Sequence, residues 1–401
     1  MAQGNVTAMP SPGKKAKRDR KPFFHVANGP DMYFFVLLII ILVIGLATLY
    51  SASHVYAFYH QDGDSYFYIR KQVLWVALGL AAMLAFSVVD YHVLHKIAWL
   101  LWIVSLGLLV VAYLMPSSTG IHRWIRIPGL GQFQPSEVAK FALILLFAHL
   151  ISLNHKRMKT FTRGFLPLMV ILGITCGLVI IEPHLSGTLL IGLLGFVMMY
   201  VGGVSVWWLL AVVGTGVVGV VVMVLVLGYE QDRIAVWLHP LECFANQITF
   251  PDGVSGRNHA WQTVQSLYAI GSGGLLGQGP GNSRQKHLFL PEPQNDFIFS
   301  VYCEEMGFVG ALIVIALFLA FIWRGYVIAM HAPDTFSALV VFGLVTKVGL
   351  QAFLNIGVVT DVLPNTGISL PFFSYGGSSL VILMLEMGVI LSVSRHSYQR
   401  R

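Results

Sequence analysis

The stretch Leu290-Pro291-Glu292-Pro293-Gln294-Asn295-Asp296-Phe297-Ile298-Phe299-Ser300-Val301-Tyr302 closes a long polar segment and opens an apolar run, with Asp296 where the two meet. Carboxylates at membrane depth are costly and are usually kept for function. One at this junction could act as a general base toward a hydroxyl of a lipid-linked substrate. It could equally complement the positive end of a helix dipole, and the spacing does not choose between the two. The same run carries Cys303-Glu304-Glu305-Met306-Gly307. At about 100° per helical residue, Cys303 falls almost below Asp296, Glu304 about 80° away and Glu305 on the opposite face. No paired-carboxylate site follows.

Four other groups could serve a charged substrate. In Gln134-Pro135-Ser136-Glu137-Val138-Ala139-Lys140, proline suits a first helical turn, and Glu137 and Lys140 can pair three residues apart. They form either a structural ion pair between helices or a polar cavity wall in which Lys140 receives an anionic headgroup. Just before them, Gly120-Ile121-His122-Arg123-Trp124-Ile125-Arg126-Ile127 offers two arginines, whose forked donors suit phosphate. Trp124 also fits an interfacial anchor. The Gly-rich stretch from Gly271 to Lys286 superficially resembles a phosphate loop but lacks the Gly-Lys-Ser/Thr ending. It is expected to present Arg284 and Lys286 to a lipid diphosphate rather than to hold a nucleotide. The stretch Pro364–Ser379, dense in Gly, Pro and Ser and including Ser374, predicts a broken or re-entrant helix start, which must be buried in protein or line a wet cavity. The fourteen histidines include no His-Glu-x-x-His pair, so no structural zinc is expected.

The elements that must position these groups are membrane spans. Of 401 residues, 56% are hydrophobic and only 11% charged, against about 25% charged in soluble domains. The mean hydropathy is +0.74. The net charge of +7 comes from cations beside apolar runs, which are topology signals and not a nucleic-acid patch. The three cysteines imply no disulfide framework. The run from Met32 to Tyr50 is too long for a signal-peptide core and is expected to stay as the first helix. The pattern predicts an all-α polytopic membrane protein with about ten transmembrane helices, near 32–52, 73–90, 97–115, 136–153, 164–182, 185–202, 206–228, 296–323, 335–360 and 372–394. Residues 1–31, with six cations between Lys14 and Lys21, read as a disordered tail touching anionic lipid. The membrane domain is 32–394, and 395–401 is a short basic tail. The short basic segment Asn154–Arg163 sets the inside. Both termini are then cytoplasmic, and 229–295 is a long external loop between the seventh and eighth spans. The two arginines at 123 and 126 then lie outside, against the usual charge bias, which points to an anionic ligand. No internal repeat of the transporter kind is evident.

These residues resemble the SEDS family (shape, elongation, division and sporulation) of bacterial membrane proteins. The resemblance spans about 33–394. It rests on Arg123-Trp124-Ile125-Arg126 followed by Gln134–Lys140, on Asn295–Phe299 with Glu304–Gly307, and on Thr366–Ser379. The stretch Gly281–Lys286 is nearer the FtsW/SpoVE branch than RodA. The resemblance implies a peptidoglycan glycosyltransferase of the cytoplasmic membrane that polymerises lipid II at the outer face, in cell division. The alternatives are elongation, a lipid II flippase or a divisome scaffold. It makes Asp296 the catalytic base and gives Trp124, Glu137 and Lys140 motif roles. Arg123, Arg126, Arg284, Lys286 and Lys140 are then candidates to steady the departing undecaprenyl diphosphate, with Ser374 a further substrate-binding candidate. The resemblance fixes no cofactor, and a divalent cation (Mg²⁺ or Mn²⁺) could share that electrostatic role. The implied partners are a class B penicillin-binding protein, with the eighth and ninth spans taken as its contact, and other divisome or elongasome membrane proteins. One departure stands out. The family often has Pro-Asp-x-Gly-Thr between the fifth and sixth spans, where this chain has Glu182-Pro183-His184-Leu185-Ser186-Gly187-Thr188. A role for that aspartate does not carry over.

Overall fold

The structure, a computed structural model, describes residues 29–115, 123–127, 131–182, 184–225, 231–246 and 255–397. Residues 1–28 and 398–401 of the two tails, His122 and Pro183 lie outside them. Among the described residues, eight helices are long and apolar enough to cross a membrane. These are α1 (Met32–His60), α2 (Phe67–Val88), α3 (His92–Leu114), α4 (Pro135–Asn154), α5 (Leu166–Ile181), α11 (Ile298–Met330), α12 (Thr335–Val359) and α13 (Gly377–His396). Two further apolar helices, α6 (Leu185–Val201) and α7 (Val206–Leu225), fall where the sequence reading expects its sixth and seventh spans, and the apolar stretches described in them are shorter. Several helices overrun the predicted ends, because hydropathy marks where the apolar run stops, while a Tyr or His beyond it costs a helix only a few tenths of a kcal/mol, about 0.5 at most.

Burial sorts the bundle into an inner and an outer layer. In α4, α12 and α13, 72% of the most apolar stretch is buried in protein, against 22–39% in the other long spans. These three are therefore the central helices, and the others turn apolar side chains outward. Capping locks one end of the bundle. Asp31 caps α1 by accepting from the Phe34 amide and holds Arg324 of α11 at 2.6 Å, while its own amide donates to Ser394 of α13. Asp334 caps α12 and accepts from the Tyr91 hydroxyl at 2.6 Å.

Two departures from the sequence reading bear on the site. The segment 229–295 is more than a loop, since it contains α8 (Gln231–Leu238), α9 (Pro240–Asn246) and α10 (Gly256–Gly273), with α10 packed on α11. And α11 is broken at Gly307, whose backbone is left-handed (φ 68°). The segment after α10 inserts there. The amides of Gln278 and Gly279 donate to the carbonyls of Glu304 and Glu305, and those of Phe308 and Val309 donate to Gly274 and Leu275. The insertion satisfies backbone groups that a helix break would otherwise leave orphaned at membrane depth.

Candidate active site

A cavity of about 830 Å³ lies between α2, α4, α6, α12 and α13, closed on one side by the 292–297 turn and the 367–376 segment. Arg123, Trp124, Glu137, Lys140, Asp296 and Ser374 all line it. They are delivered by several local devices. A two-stranded hairpin, β1 (Ile125–Ile127) with β2 (Gly131–Phe133), pairs Ile125 with Phe133 and starts just after Trp124. The hairpin is tied to α13. Ser378 donates to the Gln132 carbonyl and accepts from the Gln134 amide, and Ser379 donates to the Gln134 side chain. Pro135 then opens α4, carrying Glu137 and Lys140 into the cavity wall.

Asp296 sits in the turn before α11, outside the helix that the sequence assigned to it. Asn355 of α12 holds this turn, donating to the Asp296 carbonyl at 2.7 Å and to the Ile368 carbonyl at 2.6 Å. Ser374 donates to the Asn295 carbonyl and accepts from the Leu370 amide. Its hydroxyl is thus committed to positioning the turn. The Tyr375 amide donates to Gln294. The segment 364–376 is non-helical, and α13 begins at Gly377 rather than at 372, as the Gly/Pro/Ser density anticipates. Gly367, at φ +67°, passes close to Asp296. A Cβ on it would lie 3.2 Å from Asp296 Oδ2. Burial, with Glu292 nearby, raises the Asp296 carboxyl to about 6, against the opposing pull of Arg123. A carboxylate with that affinity for protons is suited to general-base work near neutral pH.

Lys140 donates to Glu137 at 2.5 Å, and Glu137 also meets Lys347 of α12 at 3.2 Å. Lys347 in turn is held by both carboxylate oxygens of Glu386 of α13, at 2.7 and 3.0 Å. Glu137 and Lys140 thus pair within α4 on the cavity wall, and the contact between helices is the one from Glu137 to Lys347. Lys347 and Glu386 escaped the sequence reading. A charged residue inside each apolar run was the available signal, but nothing in the sequence says which partner it finds.

Three candidate cations are not brought to the cavity. Arg126 and Arg284 are exposed elsewhere. Lys286 is buried away from it, with its ammonium bound to Glu305 at 3.0 Å, Ser51 at 2.9 Å and the Gly281 carbonyl at 2.6 Å. Glu304, buried beside it, accepts from the hydroxyls of Ser272 and Ser283 and from the amides of Arg284 and Gln285. The Gly-rich stretch is thus a plug fastened by the two glutamates, and the energetic need of those buried carboxylates takes up its cation.

The sequence did not single out Lys71, Trp75, Tyr375 or Glu292, which also line the cavity. Lys71 lies over the Phe67 ring, 3.8 Å from its centre. His184, at the position where the family pattern departs, lines the wall too, and burial holds its imidazole neutral, down to about 3. Among the described residues no group of three or more His, Cys, Asp or Glu side chains is placed to hold a metal ion.

The comparisons with known proteins agree with this architecture. A family model described as cell cycle protein, FtsW/RodA/SpoVE, matches residues 31–399. Stage V sporulation protein E of Bacillus subtilis (strain 168) is 39% identical over 377 residues, 92% of this chain and 98% of its own length. A probable peptidoglycan glycosyltransferase FtsW of Geobacter sp. (strain M18) is 36% identical over 370 residues, 92% and 97% of the two chains. In solved structures, a chain from a peptidoglycan synthase complex that coordinates polymerization and crosslinking superposes with TM-score 0.73 at 25% identity, covering 92% of this chain and 99% of that one. The Thermus thermophilus rod shape determining protein RodA gives TM-score 0.66 at 25% identity, covering 92% and 98%. With its polytopic helical fold, its cavity and a family match over nearly its whole length, this chain belongs to the FtsW/RodA/SpoVE family of membrane proteins.

Proposed function

We propose that this chain is a peptidoglycan glycosyltransferase acting in cell division, and that it polymerises lipid II at the outer face of the bacterial cytoplasmic membrane, with both termini inside. The observation that carries the reading is one cavity with a proton-accepting carboxylate, Asp296, on one wall and Arg123 and Lys140 on others. Asp296 takes the proton of the acceptor sugar's 4-hydroxyl as that oxygen attacks the anomeric carbon of the lipid-linked donor glycan. The C–O bond to the diphosphate breaks, and undecaprenyl diphosphate leaves with the bonding pair. A single displacement inverts the α-linked donor to a β-linked product. Arg123 and Lys140 stabilise the charge that develops on the leaving diphosphate. Aromatic walls from Trp75, Trp124 and Tyr375 suit the apolar faces of sugars. Ser374 and Asn355 act one step back, by fixing the turn that carries Asp296.

The printed description of the synthase complex, with polymerization and crosslinking coordinated, supports a class B penicillin-binding protein as partner. The test is glycan-chain formation from labelled lipid II by the purified protein with its cognate transpeptidase, in the presence of a transpeptidase inhibitor, with a control lacking this protein. Polymer from the wild type and none from Asp296→Asn is the expected result. Polymer retained in Asp296→Asn overturns the assignment of the base. No polymer from any folded complex moves the reading to a lipid II flippase or a scaffold, and translocation of lipid II then decides between those.

A further inference from the structure

The chain of four charges behind the cavity wall is longer than an ion pair needs to be. Lys140 and Glu137 line the cavity, whereas Lys347 and Glu386 do not and are fully buried. The order from the cavity inward is Lys140, Glu137, Lys347, Glu386, alternating in sign and summing to zero. A buried carboxylate with a single cationic partner cannot release that partner, because the charge left behind would be uncompensated. Glu137 has two. Its Oε1 binds Lys140 at 2.5 Å and its Oε2 binds Lys347 at 3.2 Å. Lys347 is held in place from the far side by both oxygens of Glu386. Lys140 is therefore the one member of the chain that faces the cavity and has a carboxylate able to let it go.

We infer that Lys347 and Glu386 are positioning residues that free Lys140 for the ligand. When an anionic lipid diphosphate enters the cavity, the Lys140 ammonium turns from Glu137 to a phosphate oxygen, and Glu137 keeps a cationic contact in Lys347, which it shares with Glu386. Three central helices carry the device, α4 through Glu137 and Lys140, α12 through Lys347 and α13 through Glu386. The exchange moves one side chain and leaves the helices packed. This rests on the reading of the cavity as a diphosphate-lipid site.

The test uses the full-length detergent-purified protein and two probes, undecaprenyl diphosphate and the uncharged undecaprenol. The paired variant Lys347→Met/Glu386→Gln removes the inner charges together, so neither is left buried and alone, and Glu137 keeps only Lys140. The expected result is that the ratio of diphosphate to alcohol affinity falls about tenfold, the loss of one charge-assisted hydrogen bond, with thermal stability close to wild type. Lys140→Met alone, which leaves Glu137 with Lys347, should lower the ratio by at least the same factor. A role in packing alone would weaken both probes together and leave the ratio unchanged, and that outcome overturns the inference. If the paired variant does not fold, Lys347→Arg, which keeps both contacts, should retain the wild-type ratio and Glu386→Asp, which lengthens the hold on Lys347, should lower it. Equal ratios in the two overturn the proposal. If the ratio is unmoved in a protein that still polymerises lipid II through Asp296, this inference fails and the glycosyltransferase reading stands. If the wild type itself does not prefer the diphosphate, the reading of the cavity fails first.

Discussion

Asp296 shows what one residue gains from its surroundings. An exposed aspartate would be a poor proton acceptor at neutral pH, but here burial and the neighbouring Glu292 raise it from 3.8 to about 6. The ionised form is the active base, so kcat/KM for polymerisation should be level above about pH 6 and fall about tenfold per unit below it. A pH–rate profile with no limb in that region would count against a base at this position. The same shift predicts a stability effect of definite sign. A carboxyl with a raised folded-state value disfavours the folded protein once ionised. That penalty is absent below 3.8 and complete above about 6. Asp296→Asn should therefore keep a Tm at or above wild type at pH 7.5 while losing polymerisation, and a marked fall in Tm would show a structural role instead. The sequence pointed to Asp296, Glu137 and Lys140 because charges at the edge of apolar runs are conspicuous. It could not point to Asn355 or Ser374 as the groups that hold the turn, because their work is done on backbone carbonyls brought together only by folding.

The broken helix α11 is the element on which the site depends. Its first part follows directly from the Asp296 turn, and its break at Gly307 receives the segment after α10. A Cβ at Gly307 would meet the Gly277 amide nitrogen at 2.2 Å and the Leu275 carbonyl oxygen at 2.6 Å. Those are backbone atoms that cannot swing aside, and the left-handed φ adds its own cost. Gly307→Ala should destabilise the protein by about 2–5 kcal/mol, combining conformational strain and overpacking. Thermal unfolding in detergent would measure it, and an unchanged Tm would show that the break relaxes. The plug makes a second prediction, which separates its two cations. Lys286→Met strands Glu305 in the interior and should cost about 3–5 kcal/mol, whereas Arg284→Ala, at an exposed position, should stay within about 0.5 kcal/mol and leave lipid II polymerisation intact. Loss of polymerisation in a stable Arg284→Ala protein would restore it as a substrate contact. The length of the apolar runs revealed the spans, and the Gly/Pro/Ser density revealed the broken start before α13. The break in α11 was hidden because a single Gly in an apolar run is compatible with a continuous helix. The placement of Lys286 was hidden because a cation's charge is visible in sequence while its buried counter-ion, Glu305, is not.

At the scale of the whole molecule, the fold class was legible because hydrocarbon accepts few backbone architectures, so a string of long apolar runs nearly dictates a helical bundle. The layering of α4, α12 and α13 inside the others was not legible, since lipid and protein interior favour the same side chains and only packing tells them apart. Orientation rests on a different physical signal, the cations of the short segment after α4, and it decides on which side of the membrane the cavity and Asp296 stand. Lys159 in that segment and His287 in the plug are both exposed and lie on opposite sides of the bundle if the charge rule holds. The chain's own thiols interfere little, because Cys243 and Cys303 are buried and Cys176 is partly buried in α5. In intact spheroplasts, a membrane-impermeant maleimide should label His287→Cys, and it should label Lys159→Cys only after the membrane is opened. The reverse pattern would place the cavity on the cytoplasmic side, where a polymerase of external glycan could not work, and would overturn the proposed site of action even if the fold and the chemistry of Asp296 were right.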